Sequence, residues 1–228
     1  MVDRTPDYDA DAARVFDCLK DGGIAIVHMD VAYAIMSGTE EALRRVYAAK
    51  QRSFGRPSGV VANLRTHDEI QILSPEAKRI VRAVTGDHDL PLSVIAPYRE
   101  DHPLMQRITP FLRGMCTKDG TVNFLLNSSP LRDRIAELSL DTGLPLMASS
   151  ANRSQQGTKY RAEDIEPEVR AVADMIVDYG PAKYLQEGYA YSSTQIDFRS
   201  MTLVREGVCF AEIARILHDQ FGIELKRG

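Results

Sequence analysis

A seven-residue stretch from Ala148 to Ser154 gathers side chains that suit the binding of an anion. It reads Ala-Ser-Ser-Ala-Asn-Arg-Ser and offers hydroxyls, a carboxamide and a guanidinium beside small residues that let a ligand approach the backbone. An apolar run from Leu144 to Met147 precedes it and predicts a buried strand. Open α/β sheets bind ligands just past the carboxyl ends of their strands. The stretch alone favours a Ser/Asn-rich turn, and an anion site is predicted here only if another segment supplies a partner.

A second candidate is the basic segment that runs from Lys50 through Arg52 to Arg56, just before Pro57. It follows a predicted helix that is capped by Thr39. Cations at a helix end are ordinary because they complement the dipole, so the segment alone predicts exposed charges that contribute little to folding. Beside a second anion-binding segment, it favours a phosphate clamp.

Several common catalytic motifs are absent from the sequence. It contains no GxxxxGK[ST], no GxGxxG and no GxSxG pattern. The five histidines lack the spacing of metal ligands: His28, His67, His88, His102 and His218. A cationic site without a nucleophile or a fixed metal cage suits phosphate chemistry that proceeds by positioning and charge stabilisation.

The composition bounds the class of protein. The chain has 228 residues, 44% of them hydrophobic and 26% charged, which fits one large folded domain. The net charge of −4 argues against a nucleic-acid footprint over the whole molecule. Three cysteines far apart argue against a disulfide framework and a zinc site, and suit a reducing cytosol. The first six residues lack signal-peptide features and no apolar run reaches membrane-spanning length, so we expect a cytoplasmic protein without a membrane partner.

Helices alternate with short apolar strands, which predicts an α/β fold. Predicted helices cover residues 12–20, 40–49, 75–86, a segment beginning at Ser129-Pro130, 168–173 and 210–221. Predicted strands cover residues 24–27, 59–62, 90–96, 121–126, 144–147 and 175–177. Residues 194–198 and 201–204 predict a hairpin, so the sheet should be mixed rather than purely parallel.

Taken together, the motifs resemble those of the YrdC/TsaC family of threonylcarbamoyl-AMP synthases over about residues 11–207, with residues 208–228 left as a C-terminal helix. Four segments carry the resemblance in the family's order: Gly22 to Tyr33, Lys50 to Pro57, Ser149 to Ser154, and Ser193-Thr194 with Asp197 followed by Arg205-Glu206-Gly207. Each motif is weak alone, but their common order and spacing are specific.

The resemblance implies a single YrdC-like domain over residues 1–228, with a twisted mixed sheet flanked by helices and a cationic concave face. It implies an enzyme that joins bicarbonate to the amine of threonine. The resulting carbamate attacks the α-phosphate of ATP, giving threonylcarbamoyl-AMP and pyrophosphate for tRNA t6A modification. Mg²⁺ would accompany the ATP, and the protein itself would supply no metal site. Some relatives bind double-stranded RNA.

The resemblance also assigns roles to particular residues. Catalytic roles fall to Lys50, Arg52, Ser150 and Asn152. Nucleotide binding adds Arg56, Arg153, Ser193 and Arg205. The substrate pocket is implied at His28, Met29, Asp30, Val31, Tyr33 and Ser93.

The chain departs from the family pattern mainly on the amino-acid side. Met29 and Val31 replace two threonines, and Leu125 replaces a cation of the site. These changes leave two alternatives open. One is a paralogue that adenylates the carbamate of another amine, or carbamoyl phosphate, as in the related domain of hydrogenase-maturation carbamoyltransferases. The other is a non-catalytic module that binds double-stranded RNA.

Overall fold

A computed structural model describes residues 6–185 and 191–227. The expectation of no signal peptide concerns the first six residues, which lie almost wholly outside the described residues. The predicted domain of residues 1–228 likewise extends beyond the described residues. The helices are α1 Tyr8–Lys20, α2 Glu40–Ala49, α3 Leu64–Ile70, α4 Pro75–Arg82, α5 Pro103–Gln106, α6 Pro110–Cys116, α7 Pro130–Thr142, α8 Pro167–Arg170 and α9 Phe210–Phe221. The strands are β1 Ile24–Val27, β2 Ala34–Ser37, β3 Gly59–Val60, β4 Leu92–Pro97, β5 Thr117–Lys118, β6 Thr121–Leu126, β7 Met147–Ser150, β8 Met175–Val177, β9 Gln195–Asp197, β10 Thr202–Arg205 and β11 Lys226–Arg227.

Helix starts follow the capping residues of the sequence. The side chains of Thr39, Ser74 and Ser129 accept hydrogen bonds from the first turns of α2, α4 and α7, as predicted. The predicted end of α4 at Gly86 is wrong, because the α-helix ends at Arg82 and the chain continues as a π-helical turn over Ala83–Asp87.

The strands form one twisted mixed sheet, which confirms the predicted α/β class. Within the described residues its order is β11-β10-β9-β4-β6-β3-β7-β2-β1-β8, and β5 pairs with β6 outside this path. Strands β9 and β10 form the predicted antiparallel hairpin. Strand β4 pairs in parallel with β9 on one side and antiparallel with β6 on the other.

Two predicted boundaries are wrong in a way that matters for the site. The strand expected at residues 144–147 lies at Met147–Ser150, so the first part of the polar stretch belongs to the strand itself. Pairing with β2 and β3 on both sides holds these small residues in extended form. The segment 208–228 is not only a helix, because β11 follows α9 and pairs with β10.

The two faces of the sheet differ around β4, β6 and β9. One face buries Val94, Phe124 and Ile196 against α4, α5, α6 and α9 in the largest hydrophobic cluster. Since side chains alternate along a strand, the neighbouring residues point to the opposite face. That opposite face forms the cavity described below. None of the described helices is long and apolar enough to cross a membrane.

Candidate functional site

A cavity of about 570 Å³ lies on the sheet face opposite the largest hydrophobic cluster. Its floor is built from rows of paired residues, in which Ser93 lies between Leu125 and Gln195, and Ile95 between Asn123 and Asp197. The loop before β3, the residues of β7, the segment Ser192-Ser193 before β9 and the end of β10 complete the walls. The cavity therefore collects segments that are far apart in the chain.

The cavity is cationic although the whole chain is acidic. Its lining residues include six basic side chains, Arg52, Arg56, Lys118, Arg132, Arg199 and Arg205, against the two acids Asp119 and Asp197. Three of the six were predicted from the motifs. Lys118, in the short strand β5, and Arg199, in the turn between β9 and β10, were missed because they matched no motif, and Arg132 because it resembles an ordinary helix residue.

Arg205 and Ser193 meet in one corner of the cavity, next to Ser93. The Arg205 guanidinium donates to the carbonyl of Ser193 at 2.9 Å and to its hydroxyl at 3.1 Å. The Ser193 and Ser93 hydroxyls are 2.7 Å apart, and both residues are buried. The structure thus brings together three predicted residues from two distant segments, with a planar guanidinium at the cavity wall.

Arg52 and Arg56 lie on the loop between α2 and β3, and both line the cavity. The Arg52 guanidinium donates to the carbonyls of Arg56 at 3.2 Å and Pro57 at 2.6 Å, and lies 5.5 Å from the Tyr47 ring centre. These contacts hold the loop in a tight turn. Arg56 is exposed, so its guanidinium can turn toward an anion in the cavity.

Lys50 differs from the expected exposed charge at a helix end. Its side chain is only 1% exposed and donates to the backbone carbonyls of Ser150 and Asn152, the latter at 2.6 Å. Burial, with a smaller effect of nearby Arg52, lowers its pKa to about 7. The expectation that Lys50 is an exposed charge is therefore wrong, because its ammonium group joins two distant segments behind the cavity.

The polar stretch after β7 divides between two roles. Ser150 lines the cavity, as predicted. Asn152 is buried and its amide donates to the Arg153 carbonyl at 2.6 Å, which is the turn-forming alternative for this residue. Arg153 donates to the Gln51 side chain at 2.7 Å. Neither Asn152 nor Arg153 lines the cavity, and their contact with a nucleotide stays a prediction.

The predicted substrate pocket is brought together only in part. Met29 and Ser93 line the cavity. Val31 and Tyr33 are buried, and the Tyr33 hydroxyl donates to Asp178 and to the Gly180 carbonyl. His28 packs between Tyr33 and Tyr179, with its Nε2 3.4 Å from the Pro181 carbonyl, while Asp30 lies 3.9 Å from the Lys183 ammonium. These four residues shape the strand-connecting loop and lie outside the cavity.

A cation lies close to Leu125 although Leu125 itself is apolar. The Arg132 guanidinium, from the first turn of α7, donates to the carbonyls of Leu125 and of Ala62, the latter at 2.8 Å. Arg132 lines the cavity. The position of Leu125 itself carries no cation, as its residue type indicates, but the Arg132 guanidinium lies next to it. Within the described residues, no group of three or more His, Cys, Asp or Glu side chains is placed to hold a metal ion.

The chain belongs to the Sua5/YciO/YrdC family, since the model of that family, described as "Telomere recombination", matches residues 17–207. Among curated proteins, it is similar to a Methanocaldococcus jannaschii protein named "Putative threonylcarbamoyl-AMP synthase". The two are 27% identical over 205 residues, which is 86% of each chain.

Solved structures share the fold. The hypothetical protein smu.1377c from Streptococcus mutans UA159 superposes with a TM-score of 0.78 at 20% identity, over 93% of each chain. P. abyssi Sua5 in complex with L-threonine superposes with a TM-score of 0.75 at 18% identity, over 99% of this chain and 61% of that one. These similarities confirm the predicted YrdC-like fold.

Proposed function

We propose that this chain is an ATP-dependent nucleotidyltransferase that makes a carbamoyl-type adenylate and releases pyrophosphate. The observation that carries the proposal is the convergence of Arg52, Arg56, Ser150, Ser193 and Arg205 on one cationic cavity. These residues come from three motifs spread over about two thirds of the chain. Membership of a family that includes threonylcarbamoyl-AMP synthases supports the same reaction class.

In the proposed reaction, an amine first combines with bicarbonate to give a carbamate and water. A carbamate oxygen then attacks the α-phosphate of ATP, and the bond between the α-phosphate and its bridging oxygen breaks, so that pyrophosphate leaves. Arg52 and Arg56 neutralise phosphate charge that grows on the leaving group. Arg205 and the Ser150 and Ser193 hydroxyls position the nucleotide. Mg²⁺ would enter with the nucleotide and be held through its phosphates.

The lining of the cavity suits a substrate amine with an apolar side chain and does not require a hydroxyl on it. The cavity is lined by the apolar side chains of Met29, Leu125, Ala32 and Ala34, and Arg132 donates to the Leu125 carbonyl. The Met29 sulfur already accepts a hydrogen bond from the Ser128 hydroxyl, at 3.8 Å. An apolar pocket distinguishes poorly between a methyl and a hydroxyl of similar size. This surrounding supports an acceptor that need not carry a hydroxyl, so that threonine is one candidate among amines of similar size.

Pyrophosphate release tests the proposed reaction. Purified protein is supplied with ATP, Mg²⁺ and bicarbonate, and each member of a panel of amino acids and simple amines is added in turn. We expect release that requires both bicarbonate and an amine. If no member of the panel stimulates release above the ATP-only control, the chain is not an enzyme of this class.

Threonine should not be strongly preferred over valine. We expect the dissociation constants of the two amino acids, measured by calorimetry, to agree within about tenfold, because Met29 and Leu125 offer no partner for the threonine hydroxyl. Met29→Thr adds such a partner and should shift the preference toward threonine. Tight binding of threonine together with rejection of valine by the unaltered protein would contradict the apolar pocket.

A further inference from the structure

Arg132 is a buried arginine without an ion-pair partner. Its side chain is 2% exposed, and its donors go to the carbonyls of Ala62, Leu125 and, at 3.4 Å, Val60. Its Nε is buried and has no hydrogen-bond partner. Among the described residues, no carboxylate lies within ion-pair distance of its guanidinium. Buried charges are normally paired, so this cation is held in the protein by carbonyl dipoles alone.

The position of Arg132 in its helix adds to the positive potential. It lies in the first turn of α7, whose Ser129 cap accepts from the Arg132 backbone amide. The N-terminal end of a helix carries partial positive charge, and basic residues are normally found at the other end. Burial lowers the pKa of Arg132 to about 10, so the group remains charged at neutral pH. Both the helix and the side chain therefore favour a nearby anion.

The nearest acid does not neutralise this charge by direct contact. Asp133 follows Arg132 in α7, is largely buried, and leaves its Oδ1 without a hydrogen-bond partner. Burial raises the pKa of Asp133 to about 6, and the Arg132 charge opposes that rise. Asp133 thus influences Arg132 through space but does not occupy its donors.

We propose that Arg132 gives the apolar part of the cavity its affinity for a monoanionic carboxyl group. The group is either the α-carboxylate of an amino acid or bicarbonate, both of which are planar, carry one charge and are small. Arg132 donates to the Leu125 carbonyl and lines the cavity together with the apolar side chains of Leu125 and Met29, so the charge acts in apolar surroundings where it is poorly screened. This assignment rests on the proposed function, because it specifies how the second substrate is bound.

Binding without ATP separates this assignment from the proposed reaction. Saturation-transfer NMR compares three amino acids with their amino alcohols: valine with valinol, leucine with leucinol, and threonine with threoninol. A titration with sodium bicarbonate forms a second arm. We expect one of two results: a preference of tenfold or more for the amino acids over their amino alcohols, or saturable binding of bicarbonate. The arm that responds identifies the source of the carboxyl group.

Two substitutions test the role of Arg132 itself. Arg132→Gln should abolish the preference or the bicarbonate binding, and Arg132→Lys should keep part of it because the charge remains. Preference retained in Arg132→Gln, or no carboxyl binding by the unaltered protein, would overturn the assignment. If the unaltered protein binds the carboxyl group but releases no pyrophosphate, the proposed reaction is contradicted and the assignment of Arg132 is not.

A substitution next to Arg132 keeps the test decisive if Arg132→Gln fails to fold. Asp133→Asn leaves the Arg132 donors in place and removes the nearest opposing charge. We expect about a three- to tenfold tighter affinity for the carboxyl group at pH 7.5. Asp17→Asn is the matched control, since Asp17 is exposed on α1 and does not line the cavity. Equal affinity in Asp133→Asn and the unaltered protein would count against Arg132 as the binding cation.

Discussion

Lys50→Ala should lower the free energy of unfolding by about 2–4 kcal/mol, since two backbone carbonyls lose a charged hydrogen-bond donor. In the folded chain these carbonyls belong to Ser150 and Asn152, and both accept from the Lys50 ammonium. The substitution removes the side-chain link between the end of α2 and the turn after β7, while the backbone hydrogen bond from Ser154 to the Lys50 carbonyl remains. Urea unfolding followed by circular dichroism measures the change.

Lys20→Ala is the matched control for Lys50→Ala. Lys20 also lies at the end of a helix, α1, but it is exposed and should change stability by less than about 0.5 kcal/mol. If the two variants lose equal stability, Lys50 behaves as the exposed charge that its sequence position suggests, and the contacts at Ser150 and Asn152 contribute nothing.

The stability that depends on Lys50 should rise with pH. Its pKa is about 7 in the folded protein, below the ordinary value of 10.5 that applies in the unfolded chain. Between these values the unfolded chain binds more protons, so unfolding becomes less favourable as pH increases from 7 toward 10. We expect the stability difference between the unaltered protein and Lys50→Met to grow from pH 7 to pH 9.5. A difference that stays constant over this range would contradict the lowered pKa.

The double variant Arg52→Gln/Arg56→Gln should lose at least about hundredfold in the rate of pyrophosphate release. Each arginine can give a charge-assisted hydrogen bond to phosphate, and each such bond contributes about 1.5–3 kcal/mol. Both residues line the cavity from the loop that precedes β3. Initial rates at saturating amine and varied ATP measure kcat and KM separately.

Arg79→Gln is the control for the arginine pair. Arg79 is exposed on α4 and does not line the cavity. It should leave the rate unchanged. Because Arg52 also donates to loop carbonyls, the melting temperature of the double variant is recorded, and Arg56→Gln alone keeps those bonds. Normal rates in the double variant would remove the phosphate clamp from the proposal.

The sequence predicted the elements whose signals are local. Strands β1, β6 and β8 and helix α9 have the predicted bounds, because each is an apolar run or periodic face with polar or glycine residues at its ends. Strand β2 and helices α3, α5 and α6 were missed. These elements are only four to seven residues long, and pairing and packing with distant segments stabilise them more than their own residues do.

The site was predicted in the motifs but not in its contacts. Arg52, Arg205 and Ser193 line the cavity as their motifs indicated. The burial of Lys50 could not be predicted, because its partners lie 100 residues further along the chain. Arg132 has the spacing of an ordinary helix residue. Its guanidinium binds the carbonyls of Ala62 and Leu125, which lie just beyond the point where β3 and β6 pair at Val60 and Phe124.

The cavity is closed by contacts between segments about 100 residues apart, and this separation bears on how the protein folds. Lys50 meets Ser150, and Ser93 meets Ser193, each across 100 positions. Contacts between such distant positions form slowly, because a long loop must close before any of them stabilises the chain. We therefore expect helices, which form from neighbouring residues, to appear early and the cavity to assemble late. Ligand binding during refolding should therefore appear after the helical circular dichroism signal has recovered.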